Sequence, residues 1–202
     1  MLSSAQVVAE DYLGKALRTT EELQDQFDDL HDSNWLFPSS ESLDGSNKAR
    51  RQHVVVIYGI GCGPSFAAVR TILSALESGD LYPKADLALV ASPMKNEQAE
   101  IPLLQAPLCA AAQGKERPFI LALLGRNPRP KDVPELRALA RSTLLDVKAF
   151  AECMNGRESY LEALRRVAFS VFSSATVLPT ILIDDKPVGV DEVLDLITRP
   201  NN

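Results

Sequence analysis

The sequence is poor in the residues on which most chemistry relies. Only two histidines, His31 and His53, occur in 202 residues. Neither stands at ligand spacing from a cysteine, which excludes a histidine-based metal centre. Tryptophan occurs once, and no run of lysine or arginine offers a footprint for phosphate backbones or anionic lipid. With 21 basic against 27 acidic residues, net −6, nucleic acid is excluded as a partner. No apolar stretch approaches the roughly 20 residues that span a bilayer, so no membrane span is expected. The opening Met1-Leu2-Ser3-Ser4-Ala5 has neither a basic n-region nor an apolar h-region. A cytoplasmic protein reads this way, and so does an exported one whose signal peptide has been removed. Cysteine is scarce and its count is odd: of the three, one is left as a free thiol if two pair.

What is present is a globular composition, 46 % hydrophobic, in a chain long enough for one full core plus an insertion or arm. Residues 1–52 carry ten acids against five bases, whereas the remainder is nearly neutral. Val8, Tyr12, Ala16 and Leu17 recur at helical spacing. Thr19 with Glu22 makes a capping-box pattern ahead of Leu23, Phe27 and Leu30. The stretch from Pro38 to Asn47 has linker composition. Residues 1–52 therefore read as a helical arm and linker, with residues 1–35 a candidate homodimer contact.

From His53 to Tyr58 a β-branched apolar run, closed by Gly59 and Gly61, predicts a buried strand. Beyond Pro64, the residues Phe66, Val69, Ile72, Leu73 and Leu76 mark one helical face, and Asp86 to Ala91 reads as a second strand. Strand, helix, strand at this spacing is a βαβ unit with parallel strands. The next eighty or so residues read as short helices punctuated by Pro102, Pro107, Gly114, Pro118, Gly125, Pro128, Pro130 and Pro134. Asp146 caps one of them, and a longer helix follows through Tyr160, Leu164 and Val167 to the Ser173-Ser174 break. Thr180 to Ile183 is a strand, Asp184 to Pro187 a turn, Val188 a return strand, and Val193, Leu194 and Ile197 a closing helix. The predicted class is α/β, in the order βαβ, helical insert, ββα.

The loop between the first strand and its helix reads Tyr58-Gly59-Ile60-Gly61-Cys62-Gly63-Pro64-Ser65. Cys62 falls at the helix start, where unpaired amides and the positive end of the helix dipole favour an anion and hence a nucleophilic thiolate. Gly63 and Pro64 are small and stiff, and admit another chain to the sulfur. Tyr58 and Phe66, flanking the motif, read as core residues. A dinucleotide-binding reading of the glycines fails, because the third glycine of a G-x-G-x-x-G would fall on Pro64 and the second strand ends without an acid for a ribose.

Cys62-Gly63-Pro64-Ser65 resembles the Cys-Gly-Pro-Cys motif of thioredoxin-fold proteins with serine in the second cysteine's place. Val177-Leu178-Pro179-Thr180 resembles the loop those proteins carry opposite the active cysteine. The element order, with Cys109-Ala-Ala-Ala-Gln-Gly-Lys115 and Leu145-Asp146-Val-Lys-Ala-Phe150 in the insert, is similar to the DsbA/DsbG-type thiol-disulfide oxidoreductases. The resemblance covers residues 53–198 and implies a thioredoxin-like domain with its helical insertion at about residues 97–172. It also implies Cys62 as the catalytic nucleophile, acting with Ser65 and with a cis Pro179. Gly63, Pro64, Leu178 and Thr180 would contact an extended protein substrate, and Cys109 and Cys153 would form a structural disulfide, against the alternative of two buried free thiols. The implied activity is thiol-disulfide exchange on protein disulfides, with no resident cofactor. Glutathione or a partner thiol is a possible co-substrate, a redox protein a possible partner, and the bacterial periplasm or another extracytoplasmic compartment the implied location.

Two departures bear on this. Ser65 cannot close a disulfide, so the chain is a monothiol, either of reductase or isomerase type or as a serine replacement that traps substrate. Val56 stands where several members hold a buried acid, and its presence leans the reading toward reduction or protein disulfide isomerisation over oxidation. The alternatives are a glutathione-dependent transferase or isomerase on the same fold, and a non-enzymatic chaperone or partner-binding module.

Overall fold

The computed structural model describes Leu36 and residues 52–77, 85–94, 100–172 and 177–198. The helices and linker expected in residues 1–52, and pairing through residues 1–35, lie outside the described residues save for Leu36, whose side chain packs against the core. Four strands form one sheet in the order β2-β1-β3-β4. They are β1 (Gln52–Gly59), β2 (Ala85–Ser92), β3 (Thr180–Ile183) and β4 (Lys186–Val188). The central strand β1 runs parallel to β2, with Val56 beside Leu89, and antiparallel to β3, with Ile57 beside Thr180. Val54 to Tyr58 are wholly buried, which is why this strand reads as a continuous apolar run rather than an alternating one. Asp184 and Asp185, both at positive φ, make the two-residue turn from β3 to β4. Asp184 is tied to β1 twice: its amide donates to the His53 carbonyl at 2.9 Å, and its Oδ1 accepts from the His53 amide at 3.0 Å.

Helix α1 (Gly63–Glu77) joins β1 to β2 and buries Ala68, Val69, Ile72 and Leu73. It packs against the closing helix α7 (Val190–Thr198), whose Val193 is buried. Between β2 and β3 lie α2 (Ile101–Ala111), α3 (Glu116–Leu124), α4 (Val133–Ser142), α5 (Val147–Met154) and α6 (Arg157–Phe172). Pro107 does not end a helix, as its place among the predicted breakers suggests, but sits inside α2. Burial of α2 on several sides, from Ile101 through Ala110, outweighs the hydrogen bond that a mid-helix proline forfeits. Asp146 caps α5, its Oδ1 accepting from the amides of Lys148 at 2.8 Å and Ala149 at 3.0 Å.

The insert is held together by covalent and polar links. Cys109 of α2 and Cys153 of α5 are joined in a disulfide, with Cα atoms 5.6 Å apart. One turn away on α2, the buried Gln105 donates from Nε2 to the Met154 carbonyl at 3.0 Å and to Ser159 Oγ at 2.7 Å, stitching α2 to the α5–α6 turn. Phe119 and Phe150 pack nearby at a ring separation of 5.5 Å. The disulfide closes a sequence separation of 44 residues, for which loss of unfolded-chain entropy corresponds to about 4 kcal/mol. Replacing both cysteines by alanine is expected to lower the unfolding free energy in urea by about 2–4 kcal/mol. An unchanged unfolding midpoint would show that the Gln105 and phenylalanine contacts already supply the constraint.

Candidate active site

Cys62 occupies the N-cap position of α1 at the C-terminal end of β1. Its amide donates to the Gly59 carbonyl at 3.1 Å, and its own carbonyl accepts from Phe66 at 3.0 Å, opening the helical ladder. The side chain thereby stands outside the helix at its positive end. The first turn of α1 contains no acidic residue to compete for that end, so the dipole is available to a thiolate. Two glycines shape the approach. Gly61 turns the chain at φ +88°, a conformation that L side chains rarely adopt. At Gly59 a Cβ would run into the Met94 sulfur and meet Leu178 Cδ1, so a larger residue there would push both side chains aside.

The Val177–Thr180 loop faces this thiol. The Leu178–Pro179 bond is cis, and the half-buried Cys62 Sγ lies 3.8 Å from the Leu178 carbonyl oxygen, toward which the thiol donates. Thr180 spends its hydroxyl within its own loop, donating to the Val177 carbonyl at 2.5 Å. The structure therefore gives Thr180 a loop-closing contact. Gly63 and Pro64 are exposed beside the sulfur, as are Val177 (71 %) and Met94 (43 %), which give the site an apolar rim.

Ser65 is fully buried, and its Oγ accepts a hydrogen bond from the Gly59 amide at 3.1 Å. Sulfur is a weaker acceptor than a hydroxyl oxygen, so the serine does structural work in the loop that holds Cys62. Ser65→Ala should leave a buried donor without this partner and lower stability by about 1–2 kcal/mol. The check is denaturant unfolding together with the rate at which Cys62 is alkylated; a change in neither would show that the bond is dispensable.

Three further groups carry no local signal in the sequence. Glu100, at the start of α2, is buried and pairs with Arg129 at 2.8 Å; Arg129 lies in the α3–α4 connection after a cis Asn127–Pro128 bond. Glu100 and Arg129, with Ile60 and Met94, line part of a shallow recess of about 150 Å³, open mouth included. The third is Glu116. Burial raises its carboxyl above the ordinary range, opposed by Arg166 and then by Arg117. Tyr58, wholly buried on β1, is pushed upward by burial and then by Glu116, and its hydroxyl has no hydrogen-bond partner among the described residues. Val56, two residues earlier on the same strand face, is fully buried.

A carboxyl whose folded pKa is raised stabilises the fold fully below its unfolded pKa, and that contribution is lost as pH rises through the folded value. Glu116→Gln, neutral at every pH, should therefore match the unsubstituted chain in Tm near pH 4 and exceed it at pH 7. Thermal unfolding by circular dichroism across that range measures the difference, and equal midpoints at pH 7 would count against a raised Glu116.

A parallel β1–β2 pair joined through a helix that starts at the cysteine, followed by a β3–β4 hairpin that starts at a cis proline, defines the DsbA-like thioredoxin fold with a helical insertion. No protein-family model and no curated protein matches the chain by sequence. Solved structures match it in three dimensions. A thioredoxin-like oxidoreductase from Silicibacter pomeroyi superposes with a TM-score of 0.58 at 19% identity, covering 72% of this chain and 83% of that one. DsbA from Xylella fastidiosa gives 0.57 at 20% identity, covering 72% and 82% respectively. DsbA from Pseudomonas aeruginosa gives 0.55 at 18% identity, covering 77% and 85%.

Proposed function

We propose that this chain is a monothiol thiol-disulfide oxidoreductase acting on protein disulfides, with reduction or isomerisation favoured over oxidation. The observation that carries the reading is the placement of Cys62 Sγ at the start of α1, 3.8 Å from the carbonyl of Leu178 in the cis-proline loop. A thiolate there attacks one sulfur of a substrate disulfide and forms a mixed disulfide while the other substrate sulfur leaves. The Leu178 backbone supplies main-chain hydrogen bonds for an extended substrate segment, and the apolar rim of Met94 and Val177 suits an unfolded protein. Exposed Gly63 and Pro64 leave room for that segment.

Direction follows from what flanks the sulfur. With serine at position 65 no second thiol in the motif closes an internal disulfide, so the chain stores no oxidising equivalent there. Val56 supplies no acid at the strand position where several members of the resembled DsbA/DsbG-type family hold one. The Cys109–Cys153 disulfide supports an oxidising, extracytoplasmic compartment such as the periplasm. Residues 53–198 form the catalytic domain in this reading, with residues 1–52 an appended arm and residues 1–35 a candidate dimer contact. A separate redox protein or a small thiol regenerates Cys62.

Insulin reduction and reactivation of a scrambled disulfide protein, each in the presence of a small thiol, test the proposal. The unsubstituted chain should accelerate at least one, Cys62→Ala neither, and Ser65→Cys should gain in insulin reduction. Activity that survives Cys62→Ala would overturn the assignment. Suppression of aggregation by Cys62→Ala, with no redox activity in the unsubstituted chain, would point to a binding module instead.

A further inference from the structure

The Glu100–Arg129 pair is built as a positioned donor at the edge of the loop that carries the thiol. Both carboxylate oxygens of buried Glu100 are engaged, Oε2 accepting from the Met94 amide at 2.9 Å and Oε1 from Arg129 Nη1 at 2.8 Å. The carboxylate thus holds the guanidinium in one orientation. The stem of Arg129 lies against the residue before the cysteine, its Cδ 3.5 Å from where a Cβ on Gly61 would stand. The Arg129 side chain keeps 30% of its surface exposed. A guanidinium carries five N–H donors in a planar fork, and among the described residues Arg129 gives one nitrogen to Glu100 and nothing to any other group. Among the described residues, Ile60, Met94, Val177 and Leu178 border the thiol loop with apolar side chains or backbone.

We infer that Arg129 recognises a carboxylate on the thiol that releases Cys62 from its mixed disulfide, which makes the co-substrate a small carboxylate-bearing thiol, with glutathione as the peptide member of that class. This deepens the reading of Cys62 as a lone exchanging thiol and rests on it. In the first step the Cys62 thiolate forms a disulfide with one substrate sulfur and the second leaves as a thiolate. A small thiolate then attacks the Cys62 sulfur, the first substrate sulfur leaves, and Cys62 carries the small thiol. A second small thiolate attacks that thiol's sulfur, giving the small-molecule disulfide and free Cys62 thiolate. Two small thiols are oxidised, one protein disulfide is reduced, and their two protons pass through solvent to the two substrate thiolates. Because Glu100 compensates the charge of Arg129, recognition comes from directional hydrogen bonds and not from long-range attraction, so the expected discrimination is about tenfold.

The test uses the full chain with Cys62 converted to its 2-thiopyridyl disulfide, from which an attacking thiol releases 2-thiopyridone, read by absorbance. Rates with 3-mercaptopropionate and 2-mercaptoethanol are taken at one pH, and their ratio is compared with that for the same adduct of a free cysteine derivative. Glutathione against cysteamine repeats the comparison with a peptide acid and a cation. The expected ratio on Cys62 exceeds that on free cysteine by about tenfold, and falls by that factor in Arg129→Gln. Arg129→Gln takes the guanidinium away from the buried Glu100 carboxylate, so Glu100→Gln combined with Arg129→Gln provides a variant in which that charge is removed as well. A ratio on Cys62 equal to that on free cysteine, or one that survives the double substitution, overturns the role of Arg129. Failure of every thiol to release 2-thiopyridone from Cys62 overturns the lone-thiol reading itself.

Discussion

Antiparallel pairing of β3 with β1 is the constraint from which the site follows. Opposing Ile57 to Thr180 sets the start of β3 level with the end of β1. The three residues after β1 and the three before β3 are therefore forced into contact. That register, not any affinity between the two loops, brings Cys62 to within 3.8 Å of the Leu178 carbonyl across 116 residues of sequence. A slip of one residue would turn the β3 side chains to the opposite face of the sheet. The register is pinned at the far end of the strand pair by the two hydrogen bonds between Asp184 and His53, and along its length by burial of Ile181 and Leu182.

The helical insert supports the same loop from the side. Its interior is cross-linked by Cys109–Cys153 and by Gln105, which tie α2 to α5 and to the turn after it. From the insert Glu100 reaches back to the Met94 amide just beyond β2, and Arg129 reaches to the flank of Gly61. Met94 in turn closes over Gly59. Among the described residues, the Glu100–Arg129 pair and Met94 join core and insert at the cysteine loop, and they lie far from it in sequence.

Much of this was legible without coordinates. The Val54–Tyr58 run is apolar at every position because both faces of β1 are covered, and that pattern identifies a central strand directly. The break at Gly59, Gly61 and Gly63 places the helix start at Cys62, and Asp146 announces its own helix because capping is a local interaction. Pro107 misled because a proline's cost is local while the burial that outweighs it is not. The roles of Ser65, Glu100, Arg129 and Glu116 were not legible for the same reason. Position 65 reads as a missing cysteine until the Gly59 amide is seen to need its oxygen, and Arg129, set between two prolines in a polar loop, has the appearance of an ordinary surface charge.

By itself the sequence determined the order of the elements and the start of the helix that Cys62 caps, since each depends on residues within a turn or two of one another; the pairing of Cys109 with Cys153, which leaves Cys62 as the free thiol, spans 44 residues and is seen only in the structure. Only the tertiary structure decided how near the Leu178 carbonyl stands to the sulfur, what the Ser65 hydroxyl holds and that Arg129 flanks the thiol loop. These depend on strand register and on burial across more than a hundred residues of chain, and distances of that kind are set by packing the whole core at once rather than by any local preference.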